Sequence, residues 1–360
     1  MNAGGAEPDL IVRREGAAGI LRLNRPKTIN ALTLEMTREI AVALDAFEAD
    51  PEVGLVLLEG AGERGLCAGG DIRGLYESAR AHGDLGKVFW REEYILNARI
   101  AAFPKPYVAY MDGLVMGGGI GLAAHASHRI VTEKTKVAMP EVGLGFFPDV
   151  GGTWLLSRAP GEIGTYLGLT GQAANGADAV HARMADVEIA TADWAALRAV
   201  LTKLPADADG DAVMAGIRDF AVAAVRGPVA RQQDLIDRAF GHDTVEEIVA
   251  ALAQDGSAFA SVTLAAMKDK SPRGLKVALK LLRLARASSS LAECLVREYR
   301  AALEVFASAD FVEGVRAAII DKDHTPRWRH AGVGEVPAAE VSRMLMPLGG
   351  DALTFEEPQT

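Results

Sequence analysis

The stretch from Met116 to Gly152 constrains the fold most, because it sets a triple-glycine turn, a glutamate and an aspartate within one short span. It reads Met116-Gly117-Gly118-Gly119-Ile120-Gly121, then Met139-Pro140-Glu141, then Phe147-Pro148-Asp149-Val150-Gly151-Gly152. An apolar segment, Tyr107 to Val115, precedes the glycines, and Leu122-Ala123-Ala124 follows them. That order predicts a strand turning sharply into a helix with its backbone amides uncovered, since glycine alone lets the chain both turn and be approached closely. Such amides can bind an oxyanion. Glu141 and Asp149 stand eight residues apart in a segment otherwise nearly free of charge, a placement that fits chemistry better than a solvated surface.

With 360 residues and 49% hydrophobic content, the chain can build one large domain or two around an ample core. Its formal net charge of -10 argues against a nucleic-acid partner, which requires clustered Lys and Arg. Two cysteines, Cys67 and Cys294, exclude a disulfide framework and fit a reducing compartment. Met1 to Leu10 has neither the basic and apolar regions of a secretory signal nor the Arg- and Ser-rich character of a transit peptide, so the expected location is cytoplasmic. Apolar runs break before about 18 residues, and no membrane span is expected.

The first third alternates strands and helices, the signature of a layered α/β fold. Strands are predicted at Ile20–Leu23, Val53–Leu58, Tyr107–Val115 and Arg129–Thr132. Helices are predicted at Thr33–Glu48, with apolar positions at Leu34, Ile40, Val42, Leu44 and Phe47, at Val88–Ala102 and at Gly119–Ala126. Lys203 to Gly210 is rich in turn formers and reads as a loop. Beyond it the pattern is helical: Ser271-Pro272 caps a run ending near Ala287, and Ser290-Leu291-Ala292-Glu293 is a capping box. The resulting division is residues 1–205 as the α/β core with the site and 206–360 as a mainly helical region.

A second small-residue segment, Cys67-Ala68-Gly69-Gly70-Asp71, follows the Val53–Leu58 strand. Two such turns can present two amides to one carbonyl oxygen, or can simply be tight turns. Neither is a GxGxxG nucleotide fingerprint in context, and no Walker A sequence occurs. Asp149 can act chemically or cap a helix beginning at Val150, and Glu141 can be a first-turn acid. Glu93 alone reads as a solvated helix residue. His125 and His128 share a helix face without a third ligand, so no metal is expected. Cys67 has no base to activate it and reads as a small buried residue. Lys276, Lys280, Arg283 and Arg286 read as the solvated side of a helix.

Cys67-Ala68-Gly69-Gly70-Asp71-Ile72 and Met116-Gly117-Gly118-Gly119 resemble the two oxyanion-hole signatures of the crotonase (enoyl-CoA hydratase/isomerase) superfamily. Asn24-Arg25-Pro26-Lys27 with Asn30-Ala31-Leu32 extends the resemblance, which covers roughly residues 10 to 335. Within the superfamily, Arg91-Glu92-Glu93-Tyr94, Phe147-Pro148-Asp149-Val150-Gly151-Gly152, Asp310 to Ala317 and Asp321-Lys322-Asp323 are similar to the phrases of its hydrolases. The resemblance implies a spiral of repeated ββα turns in two roughly perpendicular sheets, followed by a helical C-terminal region. It also implies hydrolysis of a short branched β-hydroxyacyl-CoA, with 3-hydroxyisobutyryl-CoA of valine breakdown as the first candidate substrate. The alternatives are an enoyl-CoA hydratase or isomerase, and a non-catalytic acyl-CoA-binding protein.

Residue by residue, the resemblance implies an oxyanion hole from the N–H groups of Ala68 and Gly118. Glu141 would be nucleophile or general base, Asp149 a catalytic residue that binds the substrate hydroxyl or orients the water and leaving group, and Glu93 a substrate contact. A typical hydratase has two glutamates; one aligns with Glu141 and the other with Gly121, which has no side chain to act. CoA is expected along Ala68, Gly69, Asp71 and Ile72, with Arg25 and Lys27 (and Arg22 nearby) for its phosphates. No metal or other cofactor is implied, and family precedent includes trimers.

Overall fold

Ala18–Leu23 and Leu55–Gly60 are nearly unbroken aliphatic runs, the pattern of parallel strands covered on both faces. In the computed structural model, which describes residues 7–355, they lie at the middle of the larger of two sheets; residues 1–6 of the segment read for targeting signals lie outside it. The larger sheet has six strands, in the order β1 (Leu10–Glu15), β2 (Ala18–Leu23), β3 (Leu55–Gly60), β4 (Tyr107–Met111), β6 (His128–Thr132) and β9 (Val187–Ile189). Only β1 and β2 pair antiparallel; each later strand joins the same edge in parallel. The strand order never reverses, so the sheet lacks the switch point of a doubly wound nucleotide fold. The smaller sheet is β5 (Leu114–Met116), β7 (Lys136–Ala138) and β8 (Ala174–Asn175).

The expected strand Tyr107–Val115 is two strands in different sheets. The chain breaks at Asp112-Gly113, where Gly113 has φ +60° and an added Cβ would lie 2.7 Å from the Arg64 carbonyl oxygen. This change of sheet is the step of the spiral.

Side-chain alternation feeds two cores. Ile20, Leu57 and Val108 point to one face and pack with Leu197, Leu201, Val213 and Ile217 from helices Trp194–Leu201 and Gly210–Arg218. Leu21, Leu58 and Ala109 point to the other and join the main core. There α1 (Leu34–Ala49) buries Met36, Ile40, Ala43, Leu44 and Phe47. Val42 is 68% exposed, against expectation, because it sits on the side of the helix away from the Ile40–Leu44 stripe. Thr33 caps α1 by accepting from Met36 N–H at 3.2 Å.

Six further helices build or support the site: α2 (Ile72–Arg80), α3 (Leu85–Ala101), α4 (Gly118–Ala123), α5 (Gly152–Ser157), α6 (Pro272–Arg286) and α7 (Leu291–Phe306); α8 (Ala309–Val315) follows directly. Ser271 caps α6 with Pro272 in the first turn, as the sequence indicates. Ser290 caps α7, but the Glu293 carboxylate goes to Ser289 N–H and Oγ, so the expected box is only half formed. The basic side of α6 is partly paired: Lys276 with Glu246, and Arg283 and Arg286 with Glu162. Position 205/206 falls in the turn between two helices. The later helices pack back on the site, α6 against α5 and α7 against α3, within the same main core.

Asn30 shows why the Asn30-Ala31-Leu32 phrase matters. Fully buried, it adopts φ +54° and donates Nδ2 to the carbonyl oxygens of Ala61, Gly65 and Leu66 at 3.0, 3.2 and 3.0 Å. Its Oδ1 accepts from Arg25 N–H at 2.9 Å. It therefore ties the loop leaving β3 to the loop leaving β2. Asn30→Ala should cost about 3 kcal/mol in urea unfolding, from orphaned carbonyls and an unfavourable left-handed alanine; a loss under about 1 kcal/mol would contradict this role.

Candidate active site

Two glycine turns meet because their approaches pair as a ribbon. Leu66 and Cys67 N–H donate to Asp112 and Leu114 carbonyl oxygens at 3.0 and 3.2 Å, and Met116 N–H donates to Cys67 at 2.9 Å. The strip before Gly69 thus runs parallel to β5, and both strips turn at a left-handed glycine, Gly69 (φ +103°) and Gly117 (φ +46°). Close approach makes the next glycine necessary: a Cβ on Gly118 would lie 2.6 Å from Glu93 Oε1 and 3.4 Å from Gly70 N.

The amides need one correction. Ala68 N–H, expected as a donor to ligand, already donates to the Ile29 carbonyl oxygen at 2.9 Å. Gly70 N–H carries no hydrogen bond among the described residues, and neither does Gly118 N–H at the start of α4. The free pair beside one another is Gly70 and Gly118. The parallel bridge of Gly70 to Leu32 explains the shift, because it engages Asp71 N–H and the Gly69 carbonyl and leaves the amide between them unpaired.

Three carboxyl groups converge on these amides. Glu93 from α3, Glu141 from the short turn Glu141–Leu144 and Asp149 are only 2, 8 and 5% exposed, and all line one chamber of about 70 Å³. Glu93 is therefore not the solvated residue its helix alone indicated. Glu93 Oε1 and Glu141 Oε2 have no hydrogen-bond partner, whereas Asp149 Oδ2 accepts from Tyr94 Oη at 2.8 Å. Burial raises the pKa of all three. Glu93 is held well above the carboxylate range by burial and by its two acidic neighbours, and Glu141 by burial and Asp149. Asp149 is pushed up to about 7 by burial, against the lowering effect of the Tyr94 bond. A cluster poised this way can keep one group protonated and another ionised near neutrality. Trp90, Phe89, Phe146, Val150 and Phe311 supply the apolar walls.

Asp149 does not cap a helix. The helix begins three residues later, and its first amides are capped from a distance by Glu298 of α7, which accepts from Gly151 and Thr153 N–H at 2.7 and 3.0 Å. His125 Nε2 bonds the Val150 carbonyl oxygen at 2.8 Å, and burial lowers its pKa to about 4, so the neutral ring donates. His128 begins β6 rather than sharing a helix with His125, and its Nε2 bonds the Gly210 carbonyl oxygen. Among the described residues no group of three or more His, Cys, Asp or Glu side chains is arranged to hold a metal ion. Burial holds the Cys67 thiol up at about 12, far from a reactive thiolate.

Gly121 lies beside this loop with no room for a side chain. A Cβ there would lie 2.7 Å from Asn97 Nδ2 and 2.9 Å from Val150 Cβ. Asn97 is fully buried on the Glu93 side of α3, with neither amide atom partnered.

The chamber adjoins a cleft of about 630 Å³ through shared walls at Ala68, Gly70, Ile72, Met116, Pro140 and Leu144. Asp71, Arg73, Lys270 and His324 also line the cleft. Arg25 does not: its guanidinium is committed to the Ala31 carbonyl oxygen, Asp71 and Asp9 at 2.6, 3.3 and 3.3 Å. Arg25 instead holds the Asp71 loop in place. Lys27 is exposed, next to the lining residue Thr28 but not itself in the wall. Arg22 lines a different cleft, with Trp194 and Arg198. Gly70, Tyr94, Asn97, Glu298 and the cleft residues Arg73, Lys270 and His324 were not assigned from sequence. Tyr94 lay within a quoted motif, while Glu298 is 149 positions from Asp149 and carried no local signal.

A family model described as enoyl-CoA hydratase/isomerase matches residues 18–345. The mitochondrial 3-hydroxyisobutyryl-CoA hydrolase of Mus musculus is 39% identical over 353 residues, covering 96% of this chain and 91% of the relative. That of Danio rerio is 41% identical over 337 residues, covering 92% and 88%. A carnitinyl-CoA dehydratase structure from Mycobacterium thermoresistibile superposes with TM-score 0.91 at 44% identity, over 97% of this chain and 99% of that one. An enoyl-CoA hydratase structure from Rhodobacter sphaeroides 2.4.1 gives 0.89 at 44% identity, over 97% and 100%.

The buried acids make stability depend on pH with a definite sign. Native Asp149 keeps its proton to about 7, whereas its ordinary value is 3.8; the native state therefore binds the extra proton between those values. Stability present at low pH is lost as pH rises through that window, by on the order of 4 kcal/mol for this group alone. Urea unfolding at pH 5 and pH 8 should show a smaller decline for Asp149→Asn than for the unaltered chain. Equal declines would refute the buried-acid assignment.

Proposed function

Because this chain belongs to the enoyl-CoA hydratase/isomerase family, we propose that it hydrolyses the thioester of a short branched β-hydroxyacyl-CoA, with 3-hydroxyisobutyryl-CoA as the first candidate. That substrate would place it in valine breakdown. The observation that carries the reading is the filled space at Gly121. Hydration in this family uses a second glutamate at that position, and here Asn97 and Val150 occupy its volume, while Asp149 supplies a carboxyl to the chamber. The hydrolase names of the relatives agree with this, and the hydratase and dehydratase names of the two solved structures do not.

In the proposed reaction the acyl group enters the chamber and the CoA arm lies in the adjoining cleft. Gly70 and Gly118 N–H donate to the thioester oxygen and hold the negative charge that grows on it; one such donor typically contributes about 10²–10³ in rate. Two routes use the same atoms. In one, Glu141 attacks the carbonyl carbon, the thiolate leaves with a proton from the acid cluster, and water then opens the mixed anhydride. In the other, Glu141 takes a proton from water as that water attacks. Label in the Glu141 carboxyl group after a single turnover in ¹⁸O-labelled water identifies the anhydride route with water attacking the Glu141 carbonyl, because the general-base route puts the label in the acid product alone. Asp149, held by Tyr94, faces the substrate hydroxyl or the attacking water, and Glu93, held well above the carboxylate range by burial and its acidic neighbours, donates. Arg73, Lys270 and His324 line that cleft and are the basic side chains assigned here to the CoA phosphates. The two buried free thiols fit a reducing compartment, whether cytoplasm or the organelle in the relatives' name. No helix among the described residues is long and apolar enough to cross a membrane.

Glu141→Gln should lower free-thiol release from 3-hydroxyisobutyryl-CoA by at least about 10³-fold with binding retained; near-normal turnover would sink the reading. Gly121→Glu should not create crotonyl-CoA hydration, because the new side chain meets Asn97 and Val150. Measurable hydration by that variant would show that space at this position does not decide the reaction.

A further inference from the structure

We propose that Glu298, on the C-terminal helix α7, is a positioning residue for thioester hydrolysis: its carboxylate fixes the Phe147–Thr153 loop in the conformation that turns Asp149 into the chamber. This inference rests on the hydrolase reading. Glu298 is fully buried, and a carboxyl group in such a place requires compensation. Its partners are all on the loop: Gly151 N–H to Oε2 at 2.7 Å, Thr153 N–H to Oε1 at 3.0 Å, and the Thr153 hydroxyl to Oε1.

The loop conformation is one the chain would not hold by itself. Val150 and Gly151 are successive left-handed residues, with φ of +53° and +77°, and the first is β-branched. Gly152 N–H closes the turn on the Asp149 carbonyl oxygen at 2.6 Å, which leaves the Gly151 and Thr153 amides as a concave pair suited to an anion. Glu298 is the acceptor there: burial pushes its pKa up to about 7 against the lowering effect of the Thr153 and Gly151 bonds, so it is the anion above that value. Such a backbone persists only where its surroundings over-determine it. Here Glu298 holds one side, His125 holds the Val150 carbonyl, and Tyr94 holds Asp149 itself. Tyr299, next to Glu298, meets Tyr94 edge to face with ring centroids 6.3 Å apart, so α7 supports both the loop and the partner of Asp149.

The charge of Glu298 also reaches the reacting acids. The charged and titratable groups that feel it are Asp149 and Glu141 on the chamber side, Tyr94 on α3, and Arg297 and Cys294 on its own helix, while the neutral ring of His125, just past the end of α4, faces the Val150 carbonyl of the same loop. Ionised Glu298 raises the pKa of Asp149 and of Glu141. A residue acting only as a helix cap would affect melting and leave kcat where it was.

Glu298→Gln, which preserves volume but sets an amide NH₂ against a backbone donor, should lower kcat about 10²-fold with KM changed less than about threefold. The pH midpoint assigned to Asp149 should move to lower pH, because a negative neighbour has gone. Thr153→Val, which removes one of the three bonds and leaves α7 intact, should show a smaller change of the same sign and serves if Glu298→Gln does not fold. The Asp149 midpoint is also read without substrate, from the carboxyl infrared band lost in Asp149→Asn. That reading distinguishes this inference from the reaction itself: if the unaltered chain released no thiol, a shifted midpoint would still support positioning. Variants whose midpoint stays in place, or which lose melting temperature while kcat and midpoint match the unaltered chain, would overturn it.

Discussion

The site depends on one backbone pairing, the ribbon between the strip ending at Gly69 and strand β5. Without it the two glycine turns would be ordinary loops at the ends of separate strands. The pairing fixes their register, and register decides which amides are satisfied internally and which are left for a ligand. Ala68 N–H is used to join the strip to the loop from β2; Gly70 and Gly118, each lacking a Cβ, are left open side by side. Asn30 secures this arrangement from beneath by drawing three carbonyl oxygens of the same loop onto one side chain.

Around that ribbon the fold accepts an unfavourable burial. Three carboxyls share a small apolar chamber, and a fourth, Glu298, lies behind the loop that carries one of them. Their proximity is destabilising as they ionise, and the same proximity keeps protons available where a leaving thiolate needs one. The C-terminal helices make this possible. α7 holds the Asp149 loop and stacks against α3, while Phe311 of α8 closes the chamber wall. A helical region that looks like an appendage in sequence is thus a structural wall of the site.

Much of this was legible from residues close together in the chain. Glycine runs, lone carboxylates in apolar segments and aliphatic strands carry local physical causes, and they located the turns, Glu141 and Asp149. What depended on distant partners was not legible. Which amide stays free turns on a hydrogen bond between Ala68 and Ile29; whether Arg25 faces a ligand turns on Asp9 and Asp71. Asp149 is a preferred capping residue, yet the cap comes from Glu298, because the left-handed turn at Val150 and Gly151 moves the helix start beyond its reach. The change of sheet at Gly113 was less legible because β4 and β5 are both apolar and the turn is marked only by the Asp112-Gly113 pair between them.

The most direct measurement is a side-by-side assay of the purified chain: free-thiol release from 3-hydroxyisobutyryl-CoA, and loss of enoyl absorbance from crotonyl-CoA. The free amide pair, the converging acids and the filled space at Gly121 together predict rapid thiol release with little hydration. Hydration without thiol release would contradict that account and require another group to supply the acid that Gly121 lacks.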